Sequence, residues 1–128
     1  MRDVEWDAEQ DRRMEAGMAI LGEALKHDTD KLRYDLIPPK ALEELAKVYT
    51  IGAKKYGDYN WAKGMDWHRV IGAMMRHMET FRQGYSYDAE GFRHLAAVAW
   101  CAFTLMEYER RDTGRDDRWT DYADLEEV

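Results

Sequence analysis

At 128 residues the chain suits one domain able to bury a core, and 45% hydrophobic with 35% charged residues is an ordinary globular balance. The net charge of −7 argues against a general nucleic-acid binder, because that binding is driven by neutralising phosphates. The single cysteine, Cys101, excludes an intrachain disulfide; with no apolar signal core at Met1–Trp6 and the longest nearly apolar run, Leu95 to Met106, too short to span a bilayer, a cytoplasmic protein is expected.

The only prolines are adjacent, Pro38 and Pro39, and β-branched residues are few. Long stretches rich in Ala, Leu, Met, Glu, Lys and Arg therefore predict an all-α bundle of about four main helices. The first runs from about Asp7 to Lys26, where Met14, Met18, Leu21 and Leu25 share one face, and His27–Asp30 ends it. Lys31–Pro39 is a connector, and Pro39 suits the first turn of a second helix from Lys40 to about Tyr56. There Leu42, Leu45, Ala46, Tyr49, Ala53 and Tyr56 make an apolar stripe, and Gly57 stops the helix.

A loop from Asp58 to Asp66 carries Tyr59, Asn60, Trp61 and Gly64. The third helix spans Trp67 to about Gln83, with Val70, Met74, His77 and Phe81 on one face. After the loop Tyr85–Glu90, a fourth helix runs from about Gly91 to Arg111. It is apolar almost all round at its middle, as a central or interface helix would be. Trp119, Tyr122 and Leu125, three apart in a charged tail, fit either a short docked helix or a partly disordered end. The expected organisation is an amphipathic helix over 1–30, a helical core over 31–111 and a tail over 112–128.

Several catalytic signatures are missing: there is no glycine-rich phosphate loop, no nucleophile elbow and no paired-cysteine zinc motif. Ser86 is the only serine, which argues against a covalent mechanism. What remains is acids, cations, aromatics and histidines near helix ends. Glu43 flanks the second helix's stripe, Glu44 is further round toward water, Glu79 sits in the third helix, and Asp88 and Glu90 precede the fourth. Acids converging from separate helices hold divalent ions in bundles; the plainer reading is solvated surface charge, with Asp88 a helix cap. Lys54, Lys55, Asn60 and Trp61 offer phosphate contacts, a base-edge amide and a stacking ring, although lysines at a helix C-terminus also suit its dipole. His77 and His94 fit satisfied core histidines as well as site residues, and their neighbours Arg76 and Arg93 can meet phosphate.

The ordered series Lys31-Leu-Arg-Tyr-Asp-Leu-Ile-Pro-Pro-Lys-Ala-Leu42, Gly52-Ala-Lys-Lys-Tyr-Gly57, Asn60-Trp61, Arg76-His77, Asp88-Ala-Glu-Gly91 and His94-Leu95-Ala96 resembles the bacteriophage dATP/dGTP diphosphohydrolase, or MazZ-like, family. That family is a branch of the all-α NTP pyrophosphatase (MazG-like) superfamily, and the match covers about Lys31 to Glu109. The resemblance implies an oligomeric bundle, a homodimer or homotetramer. It also implies Mg²⁺- or Mn²⁺-dependent cleavage of a purine deoxynucleoside triphosphate between the α- and β-phosphates. By the same analogy Glu43 and Glu79 are catalytic, and Glu43, Glu44, Glu79, Asp88 and Glu90 hold metal. Lys31, Arg33, Lys54, Lys55, Tyr56, Asn60, Trp61, Arg76, His77 and His94 contact the nucleotide. No membrane and no stable nucleic-acid partner is expected.

The chain departs from the family pattern in having Glu90 followed directly by Gly91, Ala97 where a second histidine is usual, and Cys101 where an asparagine is usual. The superfamily's Glu-Glu-x-x-Glu signature ends here in Lys47. These changes motivate a rival expectation, a non-catalytic helical nucleotide-binding or phage interaction module.

Overall fold

The computed structural model describes residues 24–121. The chain divides between Tyr34 and Asp35 into two units. In the first, residues 24–34 are exposed and have no α-helix; the Lys31 N–H donates to the Asp28 carbonyl at 3.0 Å across a turn. Most of the helix expected over Asp7–Lys26 lies outside the described residues. Its last turn is corrected, because Ala24–Lys26 are not helical. The run His27-Asp-Thr-Asp30 draws the backbone into a turn at Thr29–Asp30, so no following residues are in place to complete helical hydrogen bonds there.

The second unit is helical, with no strand among the described residues. Among the described residues there are three α-helices, which are the second, third and fourth of the about four expected: α1 Pro39–Tyr56, α2 Trp67–Arg82 and α3 His94–Arg111. Pro39 opens α1 with its fixed φ and missing N–H, after an extended Pro38 (φ −65, ψ 123). Gly57 ends it at φ 94, its amide bonding the Ala53 carbonyl at 2.8 Å. Only Leu45 of the α1 stripe is buried, while Leu42 and Tyr56 stay exposed. The expected start of α3 at Gly91 moves to His94, because residues 86–93 are held in a tight turn. There the Asp88 N–H donates to the Phe92 carbonyl at 2.8 Å, the His94 N–H donates to the Ser86 carbonyl at 2.9 Å, and Gly91 sits at φ 94.

α2 and α3 form the main packed pair, and α1 lies on α3. The core is Trp67, Val70, Cys101 and Tyr108, with Trp61, Met74, Trp100 and Leu105 packed around it. Burying such side chains is the main stabilising term, about 1.5–3 kcal/mol for each large apolar group. Tyr108 is completely buried, so its hydroxyl needs a partner. It donates to the Trp61 carbonyl at 2.6 Å, which ties the α1–α2 connector to the middle of the core.

Residues 112–121 are not helical, and the part of the expected short helix that includes Tyr122 and Leu125 lies outside the described residues. The described tail is nevertheless anchored. Trp67 donates its backbone N–H to Arg115 at 2.9 Å and its indole N–H to Thr113 at 3.0 Å. Asp66 precedes α2 but makes no side-chain cap. The orphan N–H of His68 is instead taken by the Asp117 carboxylate at 2.8 Å, from 49 residues away. A Cβ on Gly114 (φ 75) would run into the Met65 carbonyl, so only glycine allows this approach.

Candidate functional site

A cleft of about 790 Å³ opens beside the core. One wall is the C-terminal half of α1, Val48 to Ala53 with Lys55 and Tyr56, and the connector adds Tyr59, Asn60 and Trp61. The opposite side is built by Arg69, Ala73 and His77 of α2 and by Ala97, Trp100 and Cys101 of α3. Glu90 and Phe92 reach it from the turn before α3. Arg69, Ala73 and His77 are four apart, so one face of α2 is aimed at the cleft. The lining combines the rings of Tyr49, Tyr59, Trp61, Phe92 and Trp100 with the charges of Lys55, Arg69 and Glu90, a surface suited to a flat ring with an ionic tail.

Across this edge Lys55 of α1 donates to Glu90 at 2.8 Å, and that bond, with the charge of Glu90, holds the lysine above its ordinary pKa. Both side chains are near half exposed, so solvent screens the pair and it opens at small cost. Cys101 lies on the cleft's inner side, and burial pushes its thiol up to about 11. A thiol so placed stays protonated and is no nucleophile at neutral pH.

Beside the cleft, the Nδ1 atoms of His77 and His94 face each other at 2.9 Å. One must carry a proton as donor and the other accept, because two imidazolium rings would repel. Burial holds the His77 imidazole below its usual pKa, His94 pushes the same way, and the Asp88 charge opposes them. Each of the three residues offers a donor atom within 4.8 Å of the others. The Asp88 carboxylate also accepts the Glu90 N–H at 2.9 Å, which fixes the turn. A second such group, Asp66, His68 and Asp117, lies at the start of α2. It is crossed by Arg115, bonded to Asp66 at 3.0 and 3.2 Å, and by a His68–Asp117 hydrogen bond.

The residues expected at the site are thus dispersed in part. Lys55, Tyr56, Asn60, Trp61, His77 and Glu90 line the cleft; Lys54, Arg76 and His94 are not in its lining. Glu43 is exposed and pairs with Lys40 at 3.4 Å. Glu44 bridges Lys47 at 3.1 Å and Arg93 at 3.7 Å, linking α1 to the start of α3. Glu79 is exposed and takes Arg82 Nε at 2.9 Å, which lowers its pKa. Neither donor group contains Glu43, Glu44, Glu79 or Glu90. Lys31 and Arg33 are exposed in the first unit. The sequence reading missed Arg69 and Trp100 as lining residues. The four-residue recurrence of Arg69, Ala73 and His77 was the available signal.

Residues 22–118 match the model of the family described as dATP/dGTP diphosphohydrolase, N-terminal. The chain belongs to that family. It is 35% identical over 98 residues to a dATP/dGTP diphosphohydrolase of Salmonella phage PMBT28, a match that covers 75% of this chain and 33% of the relative. The chain therefore spans about a third of that relative's length. No solved structure matches it. The family's matched segment contains all three helices, the cleft and both histidine clusters. Among the described residues no helix is long and apolar enough to cross a membrane.

Proposed function

We propose that the protein hydrolyses a purine deoxynucleoside triphosphate of the dATP/dGTP class to the monophosphate and pyrophosphate, with Mg²⁺ or Mn²⁺, in the cytoplasm of a phage host. The observation that carries this reading is the cleft, whose lining joins aromatic rings to Lys55, Asn60, Arg69 and Glu90 in a member of this family. Trp61 and Trp100 stack on the purine, and Asn60 reads a base or sugar edge. Lys55 and Arg69 meet the phosphates, Lys55 exchanging Glu90 for substrate. Released from Lys55, the Glu90 carboxylate orients the attacking water and takes its proton.

The acids at the Asp88–Glu90 turn suit a divalent ion beside the phosphates. Such an ion supplies charge neutralisation and a lowered pKa for bound water. This reading assigns Glu43 and Glu79 no part in the chemistry, because neither lines the cleft. Leu95, Phe103 and Met106 are exposed along α3 and support a homodimer or homotetramer.

Pyrophosphate release from a panel of NTPs and dNTPs with Mg²⁺ or Mn²⁺ tests the reaction. Glu90→Gln should lower kcat by roughly 10²-fold or more, whereas Glu79→Gln and Glu43→Gln should stay near wild type. A loss in Glu79→Gln with normal Glu90→Gln activity would reverse the assignment. A second reading, a nucleotide-binding module without turnover, is favoured by Ala97 and Cys101, which give the cleft wall no ionised ligand. Nucleotide binding without pyrophosphate release would select it.

A further inference from the structure

We propose that His77, Asp88 and His94 form a mixed nitrogen–oxygen site for one divalent transition-metal ion, with both histidines bound through Nδ1. The donors come from three separately fixed places: the middle of α2, the turn, and the first residue of α3. Two imidazole nitrogens facing each other at 2.9 Å share a single proton, so in the metal-free protein the two rings hold opposite tautomers. With that proton lost, both nitrogens are free to act as neighbouring ligands, and an Asp88 oxygen lies within 4.8 Å of each. An ion about 2.1 Å from each nitrogen would see the two roughly 90° apart. His94 is buried and His77 partly so, which excludes competing water on the protein side.

The donor types decide the class of ion. Mg²⁺ prefers oxygen ligands and keeps its waters, whereas imidazole suits Zn²⁺, Co²⁺ and Ni²⁺, with Mn²⁺ tolerated. Three protein ligands leave positions open, as in catalytic rather than structural sites. His77 also lines the cleft, so the open side of the site adjoins the nucleotide space. The positive end of the α3 dipole lies at His94 and disfavours a cation. The Asp88 carboxylate is the charge that offsets it, which makes Asp88 the decisive ligand. The site's use in phosphate chemistry rests on the function proposed above; its existence does not.

The test is direct metal binding to the full-length, chelator-stripped protein. Calorimetric titration with Zn²⁺, Co²⁺, Mn²⁺ and Mg²⁺ should show one high-affinity equivalent for Zn²⁺ and Co²⁺ and weaker binding of Mg²⁺. Bound Co²⁺ should show the visible absorption of a nitrogen-ligated ion, and Mn²⁺ should broaden the proton resonances of His77 and His94. Asp88→Asn keeps an oxygen acceptor for the Glu90 N–H and should fold. Asp88→Asn and His77→Gln should each weaken Zn²⁺ binding by more than the roughly 10–100-fold typical of outer-shell changes. One-equivalent binding unchanged in both variants, or no stoichiometric binding, would overturn the site. Bound Zn²⁺ or Co²⁺ with no turnover of any nucleotide would keep the site and sink the reaction. Mg²⁺-supported turnover in the wild type with no stoichiometric Zn²⁺ or Co²⁺ binding would keep the reaction and sink the site.

Discussion

Helix α2 has a histidine–carboxylate cluster at each of two places, and the two clusters differ in what faces what. At its start, Asp66, His68 and Asp117 are crossed by the Arg115 guanidinium, and Asp117 also caps the helix. Carboxylate meets cation and backbone N–H, so charges and donors are matched. Further along, His77 meets His94, imidazole against imidazole, with Asp88 beside them and the cleft alongside. Residue types alone do not separate a structural cluster from a candidate metal site; the partners do. The first cluster should govern stability and leave ligand binding alone, and the second should do the reverse.

The largest break in that comparison is expected from Gly114→Ala. Gly114 holds φ 75, and an added Cβ would collide with the Met65 carbonyl, so the tail loses its seat against α2. We expect a loss of about 2–3 kcal/mol, read as a fall in Tm of roughly 10 °C. Zn²⁺ affinity, measured on the folded fraction at low temperature, should change little. A variant with unchanged Tm would show that the tail contributes nothing to the α2 start.

A smaller effect is expected from Asp117→Ala, which uncaps the His68 N–H and frees the His68 ring. Its Tm should fall by a few degrees, as for loss of a helix cap. Asp88→Asn should leave the Tm of metal-free protein almost unchanged. Differential scanning calorimetry of the two variants, with and without Zn²⁺, checks both arms. Equal Tm losses in the two variants would erase the distinction between the clusters.

How much of this could be read from the sequence follows from the range of the forces involved. The helices α1 and α2 were placed within a residue or so, because Pro39, Gly57 and the apolar spacing are local signals. The cleft residues Lys55, Asn60 and Trp61 were singled out for the same reason: they cluster in sequence. Asp117 capping a helix 49 residues away leaves no local trace, and neither does His77 meeting His94. Glu43 and Glu79 were expected at the site on charge and analogy; the sequence does not show their pairing with Lys40 and Arg82, three residues away, or that neither lines the cleft. The start of α3 shifted because turn bonds among Ser86, Asp88, Phe92 and His94 outcompete helical ones.

The smallest effect concerns alkaline pH and belongs to the core rather than to either cluster. Cys101 belongs to the core, and burial pushes its thiol from 9.0 up to about 11, with the Arg76 charge opposing. Burial also raises Tyr108 and Tyr49, for the tyrosines with Glu107 adding to the effect at Tyr49. For Cys101 the unfolded chain releases its proton first, so it binds fewer protons than the folded chain as pH climbs past 9. Stability must then fall with pH. The thiol's contribution is fully present below pH 9 and is lost progressively toward pH 11. Urea midpoints measured from pH 7 to 10.5 should therefore decline most steeply above 9, and Cys101→Ala should flatten that decline even if it lowers the whole curve. Asp117→Ala should lower the whole curve without changing its slope, and Asp88→Asn should leave the metal-free curve almost unmoved. A slope altered by either aspartate variant, or retained in full by Cys101→Ala, would show that the core is not the element titrating.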